Sequence, residues 1–212
     1  MQVIALVGNK GGAGKTTLAI NLASAFNEVA PTILFDADPQ GSSLQWSYIA
    51  GDSCTIDVFD GSRNLDDQIR STSDISYCVV DCPPSVHSRQ TQEALRISNL
   101  AIIPVQPSPL DLWASVHIET EVNKAQESNP ALRALLVINQ SEPRTRLSKL
   151  ASEALKELSL PAASTAIHRR VAHRNAILQG RSVLQMGSRG APAADEIRQL
   201  IDELKNHMEN RT

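Results

Sequence analysis

Short runs of apolar residues alternate along this chain with segments in which apolar residues recur every three or four positions. The short runs predict buried strands, and the recurring spacing predicts helices with one apolar face. The predicted strands are residues 3–7, 32–35, 58–59, 75–81, 100–105 and 132–139. The predicted helices begin with the segment 18–26 and continue with 113–126, 147–158 and 193–210.

This alternation predicts an α/β fold, in which a mostly parallel, twisted sheet carries helices on both faces. A chain of 212 residues is long enough to bury one sizeable core, so we expect residues 1–212 to form a single domain. Aromatic residues make up only 3% of the sequence. The core must therefore be mostly aliphatic.

Targeting signals and cysteines add little to this picture. No apolar stretch is long enough to cross a membrane as a helix. A signal peptide would begin with a basic segment, but here the first predicted strand occupies that position. We therefore expect a cytoplasmic protein. Cys54, Cys78 and Cys82 form neither a C-x-x-C pair nor an even-numbered disulfide framework. This favours small buried side chains over a metal or redox role.

A glycine-rich segment, residues 9–17, lies between the first predicted strand and the first predicted helix, which is the setting of a phosphate-binding P-loop. Glycines let successive backbone N–H groups point at phosphate oxygens, and the helix N-terminus adds partial positive charge. In such a loop Lys15 neutralises the β- and γ-phosphates of ATP, and the Thr16 hydroxyl binds Mg²⁺. The predicted ATP-binding residues are Gly11, Gly12, Ala13, Gly14, Lys15, Thr16 and Thr17.

Carboxylates follow two of the predicted strands. Asp36 and Asp38 come directly after residues 32–35, and Asp81 ends the strand 75–81. Ligands of parallel sheets collect at the carboxyl ends of the strands. Since an apolar strand ending in aspartate downstream of a P-loop has the form of a Walker B segment, we predict that Asp81 and Thr16 hold Mg²⁺.

The loop departs from the usual pattern G-x-x-x-x-G-K-[ST], because Asn9 replaces the first glycine and Lys10 precedes Gly11. This arrangement resembles the deviant Walker A motif, K-G-G-x-x-K-[ST], of the ParA/MinD superfamily. The chain is most similar to the small ParF/ParA-type partition ATPases and cargo-positioning (McdA-like) ATPases of that superfamily. The resemblance implies a P-loop NTPase fold and a Lys10 that reaches across a dimer to the partner's nucleotide.

The segment Asp36-Ala37-Asp38-Pro39-Gln40 resembles switch I of the same proteins. The resemblance implies that Asp38 positions or activates the attacking water, so Lys10, Lys15 and Asp38 are the predicted catalytic residues. Phosphoryl transfer needs mainly positioning and charge neutralisation, which one carboxylate and nearby cations can provide. Asp36 and Asp38 are then also predicted to belong to the Mg²⁺ site. Asp36 either contacts the ion's direct ligands without touching the ion or has a purely structural role. The alternative for Asp38 is a turn residue before Pro39.

Three further matches follow the same resemblance. Residues 81–84 resemble switch II, with Cys82 where a small residue such as threonine or glycine is expected. Residues 106–111 resemble a proline-rich loop beside the nucleotide, which implies a dimer interface that contains Lys10, Pro107, Ser108, Pro109 and Asp111. Asn139 matches a position that meets the adenine base, although an asparagine at a strand end is just as often a turn former.

Positive charge is concentrated late in the chain. Residues 133–189 contain ten Lys/Arg and three Asp/Glu, a net charge of +7, so the remainder of a chain of net charge −3 carries −10. Because superfamily relatives bind DNA without sequence preference through this region, we predict a phosphate-binding patch, with Arg170 and Arg174 on one helix. The alternative is an ordinary solvated helix face. The predicted DNA-binding residues are Arg144, Arg146, Arg169, Arg170 and Arg174.

The last predicted helix, residues 193–210, carries one apolar stripe and several acidic residues, with neither Trp nor Phe. A membrane-binding helix needs a basic polar face and bulky aromatics. We therefore expect this helix to dock against the sheet rather than on a membrane.

These features together predict an ATPase that depends on Mg²⁺, forms a homodimer around ATP and binds nucleoid DNA without sequence preference. By resemblance it positions or segregates a cargo such as a plasmid, a chromosomal locus or a carboxysome. A cargo-bound, ParB/McdB-like partner protein stimulates its weak hydrolysis. The alternatives are a MinD-like regulator that cycles on a membrane and an iron-sulfur or metal-carrier ATPase that uses Cys78 and Cys82.

Overall fold

The computed structural model describes residues 1–143, 145–155 and 158–209. In these residues six strands form one sheet, and every pair of neighbouring strands is parallel. The order across the sheet is β3-β2-β4-β1-β5-β6. The strands are β1 (Gln2–Leu6), β2 (Thr32–Asp36), β3 (Asp57–Asp60), β4 (Tyr77–Asp81), β5 (Leu100–Val105) and β6 (Arg133–Ile138). Each predicted strand is confirmed, with its ends shifted by two residues at most.

The helices are α1 (Lys15–Asn27), α2 (Ser42–Ala50), α3 (Leu65–Ser71), α4 (Arg89–Ile97), α5 (Pro109–Ser128), α6 (Arg146–Leu155), α7 (Val171–Leu178) and α8 (Ala191–Glu209). The prediction omitted α2, α3 and α4. The buried face of α2 consists of Ser43, Trp46 and Ala50, so a count of apolar positions does not find it. The prediction also placed Arg170 within a helix, but α7 begins one residue later and Arg170 is its N-cap.

Successive side chains of each strand point to opposite faces of the sheet, and each face has its own core. Val3, Ala5 and Val7 belong to one core, together with residues of α4 and α5. Ile4 and Leu6 belong to the other, together with residues of α1 and α8. Both faces are therefore covered by helices, as predicted, and aliphatic side chains fill most of both cores.

The edge strand β6 is followed outward by an irregular segment that runs parallel to it. The N–H of Ile167 donates to the Ile138 carbonyl over 2.9 Å, and the N–H of Arg169 donates to the Ser141 carbonyl over 2.8 Å. This pairing brings residues 167–170 to the carboxyl end of the sheet, where β6 ends.

The last helix, α8, docks on the sheet as expected. Ile197, Leu200, Ile201 and Leu204 are buried in the core of the α1 face. Arg198 at its outer surface forms a two-pronged ion pair with Glu28 after α1. Within the part of the chain that the structure describes, no helix is long and apolar enough to cross a membrane.

Cys78 and Cys82 are buried side chains of the core, which confirms their reading as small core residues, and Cys54 is half-buried. Burial raises the pKa of the Cys78 thiol to about 12. An iron-sulfur cluster shared between two subunits needs cysteines at the surface, so the burial of these two counts against that alternative.

Candidate nucleotide site

The P-loop occupies the turn between β1 and α1, and two of its residues require glycine. Gly12 and Gly14 have φ angles of +83° and +85°, which side chains with a Cβ rarely adopt. A Cβ at Gly14 would also lie 2.5 Å from Nδ2 of Asn139. The loop is therefore packed tightly against the end of β6, and within the loop Gly14 is the glycine where a substitution is least tolerated.

Three side-chain amides hold the loop from outside. Nδ2 of Asn139 donates to the Ala13 carbonyl over 2.7 Å. Nε2 of Gln106 and Nε2 of Gln140 both donate to the Gly12 carbonyl, over 2.7 Å and 3.0 Å. The loop therefore keeps its curled shape through the protein's own contacts. Neither glutamine was predicted to support the loop, because neither belongs to a motif for this role.

Asn139 was predicted to meet the adenine base. In the structure it is buried, and its amide nitrogen is engaged by the loop. Its observed role is to support the P-loop, and its contact with a base stays a prediction.

The two lysines of the loop lie close to each other. Nζ of Lys15 donates to the main-chain carbonyl of Lys10 over 3.0 Å and is largely buried. Burial lowers the pKa of Lys15, and the negative charge of Asp81 opposes that shift. Asn9, the departure from the usual motif, accepts a hydrogen bond from the N–H of Val86 over 2.9 Å. It thus connects the P-loop to the chain two residues beyond the predicted switch II segment, residues 81–84.

Asp36 and Asp81 lie side by side at the ends of β2 and β4, and both are buried. Burial raises the pKa of Asp81 to about 7, against the opposing effect of the Thr16 hydroxyl. Oδ2 of Asp81 accepts a hydrogen bond from the Ser43 hydroxyl over 2.9 Å. Oδ1 is buried and has no hydrogen-bond partner among the described residues.

Asp36 stabilises the start of α2. Its Oδ2 accepts from the N–H of Leu44 over 3.0 Å, and its Oδ1 accepts from the N–H of Asp38 over 3.2 Å. The N-cap residue Gly41 has no side chain to do this. Of the two roles left open for Asp36, the structural one is therefore observed, and its place near Mg²⁺ stays a prediction.

Asp38 lies in the half-buried turn after β2. Its side chain accepts from the N–H of Gln40 over 3.0 Å, and its carbonyl accepts from the N–H of Gly41 over 2.8 Å. The turn-forming role is therefore present. Asp38 is also close enough to Lys15 to counteract the lowering of that lysine's pKa, so a second role beside the phosphates stays compatible with the geometry.

The residues present fit a magnesium ion. In the described chain no three His, Cys, Asp or Glu side chains cluster as a complete metal cage. Mg²⁺ bound with a nucleotide needs no such cage, because phosphate oxygens and waters supply most of its ligands. The unpartnered Oδ1 of Asp81, with Thr16 beside it, supplies the protein oxygens that such an ion requires.

A cavity of about 170 Å³ opens beside the P-loop. Its walls are the start of α1 (Thr17 and Leu18), the end of β6 (Asn139) and the segment 167–174. Three arginines that were predicted to bind DNA are part of the last wall, namely Arg169, Arg170 and Arg174. His173 lies there too, with both ring nitrogens buried and without a partner among the described residues, and burial lowers its pKa.

Arg170 is engaged inside the protein. Its Nε and Nη2 lie 3.0 Å and 2.5 Å from Oε1 of Glu196 on α8. The same carboxylate accepts from the N–H of His168 over 3.1 Å and contacts the His168 ring over 2.7 Å. Burial opposes the ionisation of Glu196, but these hydrogen bonds hold its pKa below the usual value. Arg170 is thus fixed by an ion pair, which weakens its case as a DNA contact.

The other predicted DNA contacts have different positions. Arg169 and Arg174 are exposed, and Arg169 pairs with Glu142 over 3.4 Å. Arg144 lies outside the described residues. Arg146 is the first residue of α6, and nothing is described of its side chain.

The predicted dimer loop lies at the rim of the site. Pro107 and Ser108 line a cavity of about 200 Å³ together with Gln106 and Arg169. Pro109 is the first residue of α5, a position that proline favours. The side chain of Asp111 lies outside the described residues. The interface itself stays a prediction.

Comparison with known proteins shows which family this chain resembles. The family model of the CobQ/CobB/MinD/ParA nucleotide binding domain matches residues 4–183. Maintenance of carboxysome distribution protein A of Halothiobacillus neapolitanus is 36% identical over 205 residues, which cover 95% of each chain. The protein of the same name from Gloeobacter kilaueensis is 33% identical over 206 residues, which cover 96% of this chain and 94% of that protein.

Among solved structures, an ATP complex of a McdA variant from Cyanothece has a TM-score of 0.76 and 17% identity. The structural match covers 97% of this chain and 96% of the McdA chain. At this identity the match shows the fold alone. The family match includes the P-loop, both strand-end aspartates and the wall of the cavity. This chain therefore belongs to the CobQ/CobB/MinD/ParA family of nucleotide-binding domains.

Proposed function

We propose that this protein is a Mg²⁺-dependent ATPase that forms a dimer around ATP and positions a cargo, for which the carboxysome is the first candidate. The observation that carries the ATPase activity is the unpartnered Oδ1 of Asp81 beside Thr16, at the base of a P-loop already held in shape. The cargo is proposed from the two relatives named for carboxysome distribution.

The P-loop residues act by positioning and by charge. Gly11 to Thr17 enclose the phosphates, and Lys15 exchanges its bond with the Lys10 carbonyl for one with phosphate oxygens. Thr16 and Asp81 would hold Mg²⁺, which would supply neutralisation of the phosphate charge. Asp38 orients the attacking water, because its half-buried turn lies near Lys15.

The proposed dimerisation depends on Lys10, the additional lysine of the loop. Lys10 immediately precedes the two glycines of the loop, so its side chain starts at the rim of the nucleotide site. Across a two-fold axis it neutralises phosphate charge in the partner subunit. Residues 107–109 lie at the same rim and form part of the contact.

The DNA and partner functions rest on relatives and on charge. Arg169 and Arg174 are exposed beside the nucleotide cavity, so DNA binding there would respond to the bound nucleotide. Non-specific DNA would place the protein on the nucleoid, and a ParB/McdB-like protein on the cargo would stimulate hydrolysis. A MinD-like membrane role has less support, because the apolar stripe of α8 is already buried in the core.

Light scattering of the purified protein with ATP, with ADP and without nucleotide tests the proposal. We expect a dimer only with ATP and Mg²⁺. Lys15→Ala should lose ATP binding and stay monomeric, whereas Lys10→Ala should bind ATP and stay monomeric. Asp38→Ala should dimerise and hydrolyse ATP at least about a hundredfold more slowly, the lower end of the usual contribution of a side chain positioned for proton transfer. A wild-type protein that remains monomeric at saturating ATP and Mg²⁺ would contradict the dimer.

A further inference from the structure

Ser43 makes a contact to which neither the motifs nor the family assigns a role. It lies in the first turn of α2, fully buried, and its hydroxyl donates to Oδ2 of Asp81 over 2.9 Å. The two residues are 38 positions apart in the sequence. The contact therefore connects the helix after switch I directly to the Walker B carboxylate.

The hydrogen bond makes the two oxygens of Asp81 inequivalent. Oδ2 is occupied by Ser43, whereas Oδ1 has no partner among the described residues. A buried carboxylate oxygen without a partner is costly, so a site of this kind is best explained by an ion or water that completes it. With Oδ2 occupied, the carboxylate cannot rotate freely about its last torsion.

We propose that Ser43 is a positioning residue of the magnesium site, which fixes Asp81 so that Oδ1 is presented to the ion or to its bound water. Ser43 does not touch the ion or the nucleotide. Groups that orient a metal ligand in this way commonly change metal affinity by tenfold or more when they are removed. The inference rests on the proposed binding of ATP with Mg²⁺.

The surroundings of Ser43 make its position rigid. The next residue, Leu44, donates its N–H to Asp36 over 3.0 Å, and Trp46 one turn later is buried in the core. The start of α2 is therefore tied to both strand-end aspartates. A serine held this firmly loses little freedom when it fixes a neighbouring carboxylate, and it transmits any shift of Asp81 to the residues that follow Asp38.

A purely structural serine would leave Mg²⁺ binding unchanged, and the same helix offers a matched control. Ser47 lies one turn further along α2, and its hydroxyl donates to the Leu44 carbonyl over 2.7 Å. Ser43→Ala and Ser47→Ala both remove one hydroxyl from α2. Only the first removes a contact with Asp81.

The experiment is calorimetric titration of ATP into the full-length protein, once in EDTA and once over a series of Mg²⁺ concentrations. We expect Ser43→Ala to need about tenfold more Mg²⁺ for half of its gain in ATP affinity. Its affinity for ATP in EDTA should equal that of the wild type. Ser47→Ala should match the wild type in both conditions. Thermal melting of each variant reports whether it is folded.

Three outcomes would overturn the inference: an unchanged Mg²⁺ midpoint in Ser43→Ala, an equal shift in Ser47→Ala, or an equal loss of affinity in EDTA. Ser43→Thr keeps the hydroxyl and serves if Ser43→Ala does not fold. It should retain a midpoint near that of the wild type, and a shift as large as tenfold there would also reject the role. If the wild type gains no ATP affinity from Mg²⁺, the proposed function itself fails, which is a distinguishable result.

Discussion

Asp81 illustrates how one buried residue links stability to function. Its carboxyl lies beside Asp36 at the sheet end, and burial raises its pKa from 3.8 to about 7. The folded protein therefore retains a proton on Asp81 at pH values where the unfolded chain has lost it. A raised carboxyl pKa stabilises the fold fully below about pH 4 and loses that contribution as the pH rises through about 7.

The effect can be measured as a difference between two proteins. Without nucleotide and Mg²⁺, the melting temperature of the wild type minus that of Asp81→Asn should fall between pH 4 and pH 7 and then level off. The subtraction is needed because burial lowers the pKa of His173, which gives the opposite trend. A difference that stays constant over this range would show that Asp81 is ionised throughout.

At the scale of elements, the P-loop is supported by the ends of β5 and β6. Gln106 and Gln140 donate to the same Gly12 carbonyl, which can accept two hydrogen bonds. One amide therefore remains when the other is removed. Gln106→Leu and Gln140→Leu should each weaken ATP binding by no more than about fivefold, the value of one modest hydrogen bond.

The double variant should lose more affinity than the two single losses predict, because the carbonyl then has no amide partner. Calorimetric titration of ATP measures all three. Gln126→Leu is the control, since its amide also holds a backbone carbonyl, that of Leu132, away from the loop. If the free-energy losses of the two single variants add up to the loss of the double variant, the two amides act independently. Their effect on ATP binding is then not exerted through the shared Gly12 carbonyl.

The elements also show what the sequence could reveal. The strands were predictable because parallel strands covered on both faces are continuous apolar runs, as in 100–105. The place of the P-loop between β1 and α1 was predictable because its motif is local in the sequence. The support by Gln106 and the contact between Ser43 and Asp81 were not, because they join residues distant in sequence through side chains that belong to no motif.

At the scale of the whole molecule, the positive segment 133–189 contributes three arginines, Arg169, Arg170 and Arg174, to the cavity beside the P-loop. Arg170 is engaged by Glu196, so its removal would take the arginine partner from a buried carboxylate, leave only the contacts with His168 and disturb the fold. A test of DNA binding by mutation should therefore leave Arg170 in place. The informative variant is Arg169→Ala with Arg174→Ala, because both side chains are exposed.

We expect this double variant to weaken the ATP-dependent binding of random-sequence DNA, measured by gel shift over a series of salt concentrations. For every phosphate that an arginine no longer neutralises, the slope of log affinity against log salt should fall by about 0.9. The matched control is Arg89→Ala with Arg96→Ala, which removes the same charge from α4 on the other face of the sheet. ATP affinity is measured in parallel, because Arg169 and Arg174 also line the cavity beside the P-loop. Equal losses of DNA binding in both double variants would mean that the loss reflects overall charge and not a specific surface. An unchanged salt slope in Arg169→Ala with Arg174→Ala would show that these two arginines do not contact DNA.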